Sequence, residues 1–432
     1  MFISECLSVN DKNHLTIGGV DTIELAEKYG TPLYVMDEGQ IRKNCRMFRH
    51  SIDSYYGGKG LVTYASKAFS CKEMCRIVAE EGLGLDVVSA GEIYTAVQAG
   101  FPADRMFFHG NNKTPQEIAY ALETGVGRIV VDNLTELELL EKMACAAEKT
   151  VKILFRIKPG VDAHTHSFVR TGQIDSKFGL ALETGEAMEA VKQAAKLKNV
   201  ELVGLHCHIG SQIFDIEPFE HAAEVMLNFI AQIKEETGLT IQELDLGGGF
   251  GIKYVPENDP VPYDGYMERV SEVVKKSCQK LGIEQPFIII EPGRSIAGPA
   301  GITLYKVGSI KNIPNVRTYV AIDGGMTDNP RYALYQSEYE LVVAGRAGDA
   351  RTQSITLAGK CCESGDLIGK DMSTQEIQEG DIVAVLATGA YNYSMASNYN
   401  RIPRPAVVMV KDGASRIIIK RESLEDLIRN DI

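Results

Sequence analysis

From about residue 60 to residue 292, short β-branched apolar runs alternate with longer stretches in which apolar residues recur every three or four positions. A short run bounded by Gly, Pro or Asn reads as a buried strand, and the longer period reads as a helix with one apolar face. The alternation therefore predicts repeated βα units around a parallel sheet. About eight candidate strands can be counted: Leu61 to Ala65, Gly84 to Val88, Arg105 to Phe108, Arg128 to Asp132, Lys152 to Ile157, Leu202 to His208, Glu243 to Leu246 and Phe287 to Glu291. Eight is the number that a closed (β/α)8 barrel of TIM type requires, and the run approaches the ~250 residues usual for one. Amphipathic stretches such as Leu134 to Glu148, with Asn133 as N-cap, and Pro218 to Glu236 supply the helices.

After Pro299 the helical periods largely vanish. Ile302 to Val307, Val316 to Ile322, Tyr339 to Ala344, Ser354 to Ala358, Ile382 to Leu386, Ala406 to Val410 and Arg416 to Lys420 are strand-like runs separated by turn residues. They predict an antiparallel all-β domain, a sandwich or barrel, to which His14 to Ile17 and Leu33 to Met36 add strands. The expected division is an α/β barrel over 37–299 and a β domain built from 1–36 and 300–432.

Composition narrows the partners. The 45 basic and 58 acidic residues leave a net charge of -13, which argues against binding nucleic acid or an anionic membrane. The first twenty residues lack the basic flank and apolar stretch of a signal peptide, and no segment reaches the ~18 apolar residues of a membrane span, so a cytoplasmic protein is expected. Nine scattered cysteines without CxxC spacing read mostly as reduced, buried thiols.

In a barrel, chemistry collects where strands end. Lys67 follows the first strand, Asp86 lies in the second, and His109, Asn111, Asn112 and Lys113 follow the third. Asp132 ends the fourth, Arg156 lies in the fifth, and His206 and His208 stand in the sixth. Gly247, Gly248 and Gly249 follow the seventh, and Glu291, Pro292, Gly293 and Arg294 close the eighth. A lysine in the apolar setting of Thr63 to Phe69 has its amine pKa lowered and becomes a nucleophile toward an aldehyde. A glycine run with a nearby arginine suits a phosphate. Together these suggest pyridoxal 5'-phosphate, with Glu291 pairing the protonated ring nitrogen. Plainer readings stand beside this: an ion pair for Lys67, a tight turn for Gly247 to Gly249, a packed core histidine for His206 and a buried structural thiol for Cys362. A metal-dependent hydrolase using His164, His166, His206 and His208 is the rival from another class.

Eight motifs in order, Tyr64-Ala65-Ser66-Lys67-Ala68, Gly110 to Lys113, Asp175 to Gly179, Gly204 to Gln212, Gly247 to Gly251, Glu291 to Arg294, Cys362 to Asp366 and Met395 to Asn400, give the chain a resemblance to the diaminopimelate decarboxylases among the fold-type III, alanine-racemase-like pyridoxal phosphate enzymes. Ser167 to Arg170 resembles a variable loop. The resemblance implies decarboxylation of meso-2,6-diaminopimelate to L-lysine, the last step of lysine biosynthesis, with no resident metal. By the same likeness Lys67 would hold the cofactor aldehyde, His208 would stack on its ring, and Asp86, Ser211, Gly247, Gly248, Gly249, Glu291, Gly293, Arg294 and Tyr391 would complete the cofactor contacts. Arg294, Arg331, Tyr335, Glu363 and Tyr391 would meet the substrate, and Cys362 would return the proton. A homodimer with shared sites is also implied, Cys362 and Glu363 reaching the neighbouring subunit's centre. Within the fold, carboxynorspermidine, ornithine or arginine are alternative substrates. A catalytically silent cofactor binder is a further reading, disfavoured by the presence of both Lys67 and Cys362.

Overall fold

A computed structural model describes residues 2–161 and 175–432. His164, His166 and the loop Ser167 to Arg170 lie outside the described residues. The chain divides into two compact units, one of residues 44–251 and 260–293, the other of residues 1–43, 252–259 and 294–432.

The first unit is a closed parallel barrel. Its strands are β1 (Gly60–Ala65), β2 (Gly84–Val87), β3 (Met106–Phe108), β4 (Arg128–Val131), β5 (Val151–Lys158), β6 (Val200–Cys207), β7 (Glu243–Asp245) and β8 (Phe287–Ile290). Each pairs in parallel with the next, and β8 pairs with β1 to close the ring. A two-residue strand, Leu180–Ala181, adds to the outside of β5. The helices form where expected: Leu134–Ala146 is capped by Asn133, whose side chain accepts from the Glu136 N–H, and Glu217–Thr237 ends at Gly238 in the left-handed conformation.

The inner face is tiered. Phe107, Val130, Leu154, Val203 and Ile289 form one buried apolar cluster. Side chains two apart on a strand share a face, so His109, Asp132, Arg156 and Glu291 follow four of these toward the C-terminal mouth. An apolar plug thus supports a polar rim. Lys113 is part of its support: its ammonium bonds Glu136 at 2.7 Å and the carbonyls of Gly110 and Val130 at 2.8 and 2.7 Å. This lysine is buried and spent on holding the β3 and β4 exits together.

The second unit centres on a mostly antiparallel sheet. Its order is Leu367–Thr374, Gln353–Ala358, Arg317–Ile322, Gly301–Ile313, Leu33–Asp37, Ala406–Lys411 and Ala414–Ile419. Ile382–Val385 also pairs with Gly301–Ile313, and Leu341–Val343 pairs with Ile382–Val385. Two pairings are parallel, Arg317–Ile322 with Gln353–Ala358 and Leu33–Asp37 with Ala406–Lys411. The stretch expected at His14 to Ile17 forms Leu15–Ile17 in a separate small sheet with Leu7–Val9 and Val20–Asp21. Leu367–Thr374 went unread because Gly369, Lys370 and Asp371 interrupt its apolar run. Leu15, Ile17, Leu33, Val35, Ile302, Leu304, Val342 and Val408 belong to the core. Among the described residues no helix is long and apolar enough to cross a membrane.

Buried in this unit, the Asp328 carboxyl accepts from the Tyr305 hydroxyl and from the Gly325 N–H, and its main-chain carbonyl accepts from the Tyr34 hydroxyl at 2.5 Å. Burial outweighs these bonds and pushes its pKa up to about 7, from 3.8. The folded state therefore keeps a proton that the unfolded chain releases. The associated stability is present below about pH 4 and is lost as pH rises to about 7, on the order of a few kcal/mol. Urea unfolding of wild type and Asp328→Asn across this window is expected to show a flatter profile for the variant; parallel profiles would remove Asp328 as the cause.

Candidate active site

The residues singled out in the sequence fall into two groups, one in each unit. In the barrel, Glu291 follows β8 and is 4% exposed. His206 Nε2 contacts its Oε2 at 3.3 Å, and His109 Nε2 lies 2.8 Å from its Oε1, within ion-pair reach though not aligned as a hydrogen bond. The two imidazoles stand edge-to-face, ring centroids 4.9 Å apart. Burial alone would raise the Glu291 pKa, but His109 and His206 outweigh it and hold the carboxylate well below its usual range. Burial in turn pushes His206 down to about 4, against the pull of Glu291. Asp245, at the end of β7, is driven well above its usual value by burial and then by the Glu291 charge, so it keeps its proton. Its Oδ1 accepts the Gly247 N–H at 2.8 Å.

Lys67 follows β1 in the short helix Ser66–Ala68, with its side chain 41% exposed and its ammonium 3.7 Å from Asp86 Oδ2. Asp86 is raised by burial, with His109 and Lys67 opposing. His208 lies one residue beyond β6, and its Nδ1 accepts the Gly248 N–H at 3.3 Å. Burial, then the charges of Lys67 and Arg156, keep this ring well below its usual pKa and so neutral. The glycines are required by close approach. A Cβ on Gly247 would lie 2.5 Å from the Cys207 carbonyl, one on Gly248 2.2 Å from the Glu291 carbonyl, and one on Gly293 2.9 Å from the Ala65 Cβ. Gly247 and Gly249 also take positive φ, 70° and 109°. Ser211, after β6, is half-buried.

These features suit pyridoxal phosphate. Both Asp86 carboxylate oxygens and Glu291 Oε1 are buried without a hydrogen-bond donor among the described residues, and a protonated aromatic nitrogen is the donor they lack. Lys67 offers the exposed amine, His208 a neutral ring face, and Gly247 to Gly249 a backbone that nothing bulkier could occupy. Of the rival metal ligands, His208 stands apart. Among the described residues, the metal-capable donors are those of His109, His206 and Glu291, within 4.8 Å of one another.

The second group surrounds two arginines. Arg294 is 8% and Arg331 6% exposed. Arg294 Nη1 donates to the Tyr254 hydroxyl at 2.5 Å, and its guanidinium carbon lies 4.6 Å from the Tyr391 ring centroid. Tyr391 itself adopts φ 67°, a left-handed backbone costly for a tyrosine. Tyr335 is half-buried at the end of the helix Arg331–Tyr335. Cys362 and Glu363 are exposed, and Asn400 Oδ1 accepts the Cys362 N–H at 2.7 Å. The buried structural thiol here is Cys361; Cys362 stands on the surface of this chain.

Sequence reasoning listed His109 and left His206 open without linking either to Glu291. Asp245, hidden in the apolar run Leu244-Asp245-Leu246, Tyr254 and Tyr339 were not foreseen. A carboxylate inside a strand is the signal that would have exposed Asp245.

The model of the pyridoxal-dependent decarboxylases' pyridoxal binding domain matches residues 38–298. Barrel, lysine, imidazole face, glycine loop and ionised carboxylate therefore define a pyridoxal-dependent decarboxylase. Over 432 residues the chain is 50% identical to the diaminopimelate decarboxylase of Bacillus subtilis (strain 168), covering 100% of this chain and 98% of that one. It is 48% identical to that of Staphylococcus aureus (strain COL), covering 98% of each. The diaminopimelate decarboxylase of M. jannaschii, solved with L-lysine, superposes with a TM-score of 0.92 at 37% identity, covering 100% of this chain and 99% of that one. The chain belongs to the diaminopimelate decarboxylase family.

Gly248→Ala is expected to weaken pyridoxal phosphate binding about tenfold or more, since the new methyl must displace the Glu291 backbone. Gly91→Ala, where the nearest atom is a side-chain oxygen at 3.6 Å, should leave binding unchanged. Absorbance titration of cofactor-depleted protein compares them, and equal affinities would contradict the close-approach account.

Proposed function

We propose that this chain decarboxylates meso-2,6-diaminopimelate to L-lysine and CO2 with pyridoxal phosphate. The observation that carries the reading is the Glu291 carboxylate, buried between two imidazoles on the face that Lys67 also enters. When bound, pyridoxal phosphate supplies an electron sink for the pair released as CO2 departs. Glu291 would hold a proton on the ring nitrogen. Lys67 would hold the cofactor through its amine, His208 would cover one ring face, and Ser211 with Gly247 to Gly249 and Gly293 would take the phosphate through backbone N–H groups and a hydroxyl. Arg294 and Arg331 are permanent cations suited to the carboxylate that the substrate keeps, and Glu363 suits its distal ammonium. An ornithine-type substrate, ending in a bare ammonium, needs no such arginine pair. Tyr335 and Tyr391 line the substrate side.

Cys362 donates a proton to the carbon that lost CO2, acting as general acid and becoming a thiolate that takes a proton back from solvent. Its exposure, with that of Glu363, supports a homodimer in which this loop serves the neighbouring subunit's centre. Residues 37–299 act as the cofactor-binding domain, and 1–36 with 300–432 bring the substrate and dimer contacts.

Purified protein supplied with pyridoxal phosphate should release CO2 and L-lysine from meso-diaminopimelate and none from ornithine, arginine or carboxynorspermidine. Turnover of one of the latter instead would keep the fold and Lys67 and overturn the substrate. Cys362→Ala should lower kcat at least about a hundredfold while the bound cofactor's absorbance is retained; unchanged turnover would remove Cys362 from the mechanism.

A further inference from the structure

The Arg331 guanidinium is buried, yet among the described residues no carboxylate pairs with it. Its surroundings are phenols. Nη1 donates to the Tyr339 hydroxyl at 2.7 Å, and the guanidinium carbon lies 4.9 Å from the Tyr254 ring centroid and 5.7 Å from that of Tyr339. Tyr254 also touches the other arginine, accepting from Arg294 Nη1 and standing 5.7 Å, centroid to carbon, from its guanidinium. The Tyr254 and Tyr339 rings meet edge-to-face at 5.4 Å and 87°. Tyr339 donates in turn to Asn392 Oδ1 at 3.4 Å, and Asn392 is fully buried. Tyr254 is thus tied to both cations, by a charge-assisted bond to one and a ring face to the other. Burial would raise the Tyr254 phenol, but Arg294 and then Arg331 outweigh it and lower its pKa.

Burying a guanidinium such as that of Arg331 without a counter-anion is costly, and a second cation nearby adds repulsion. Phenols and ring faces offset part of that cost without neutralising the Arg331 charge. A carboxylate arriving from outside supplies what is missing and meets donors already held in place, so little ordering entropy is lost on binding.

We propose that Tyr254 and Tyr339 are positioning residues that hold Arg294 and Arg331 as a preformed receptor for the carboxylate retained by the substrate. The inference rests on the substrate reading above and extends it to two residues that touch the arginines and not the reacting carbon. Their removal should act on binding and leave the chemical step alone.

The holoenzyme tests this. Tyr254→Phe is expected to raise the KM for meso-diaminopimelate about tenfold to a hundredfold, the loss of one hydrogen bond to a charged group, with kcat within about threefold of wild type. Inhibition by the product L-lysine should weaken by the same factor, and the cofactor absorbance should be retained. Tyr339→Phe, which frees Arg331 Nη1, should shift KM in the same direction. A KM that is unchanged or lower in both variants, or a fall in kcat at unchanged KM, overturns the proposal; so does a KM rise accompanied by loss of cofactor absorbance, which marks a merely structural role. Calorimetric binding of glutarate, a dicarboxylate without amines, separates this from the substrate assignment. If wild type fails to turn over diaminopimelate but binds glutarate and Tyr254→Phe does not, the receptor stands and the substrate reading falls. Equal glutarate binding by both sinks the receptor.

Discussion

Keeping one carboxylate charged where water is excluded is the constraint on which the barrel's architecture turns. Glu291 sits above an apolar plug, and desolvation there favours the neutral acid. Two imidazoles from different strands, one at each carboxylate oxygen, reverse that preference. Neighbouring groups are then ordered by the same charge. Asp245 beside it is held well above the usual carboxylate range, while Asp86 faces Lys67 and His109. A barrel is suited to this because its staggered strands bring single residues from distant parts of the chain to one rim.

Much of this was legible in the sequence, for identifiable reasons. Parallel strands buried on both faces leave continuous apolar runs, and a polar residue at the end of such a run is conspicuous; Lys67, His206 and Glu291 were found that way. The glycines after β7 stood out by their position at the end of the seventh strand, since a glycine triplet alone reads equally as a tight turn. Pairings were less visible. Nothing in the composition links His109 to Glu291, which are 182 positions apart and meet only because the sheet closes. Tyr254 sits in an irregular segment with no period to mark it, and Tyr339 opens the expected strand Tyr339 to Ala344, where it reads as one more apolar position. The strand Leu367–Thr374 was missed because a half-exposed antiparallel strand tolerates Lys370 and Asp371 at exposed positions, next to a buried Gly369 that adds no apolar side chain to the run.

The two groups solve opposite electrostatic problems with different chemistry. Around Glu291, a negative charge is kept by neighbours that can share protons, so the charge state of each depends on the others. Around Arg294 and Arg331 the charge is permanent, and the neighbours are aromatic faces and hydroxyls that shape it without cancelling it. The first arrangement suits a group whose protonation must be held during reaction. The second suits recognition of a ligand that always arrives ionised.

Leu33–Asp37 is fully buried and lies between Gly301–Ile313 and Ala406–Lys411. It leaves the ribosome early, while both strands that flank it are still to be made. At roughly 5–20 residues per second, translation takes tens of seconds to reach them. During that interval the barrel residues emerge and can close upon themselves, while a sticky apolar segment waits at the amino end with both edges open. Vectorial synthesis thus makes this strand the nascent chain's most exposed point for capture by chaperones, and the second unit can complete its sheet only after nearly the whole polypeptide has been released.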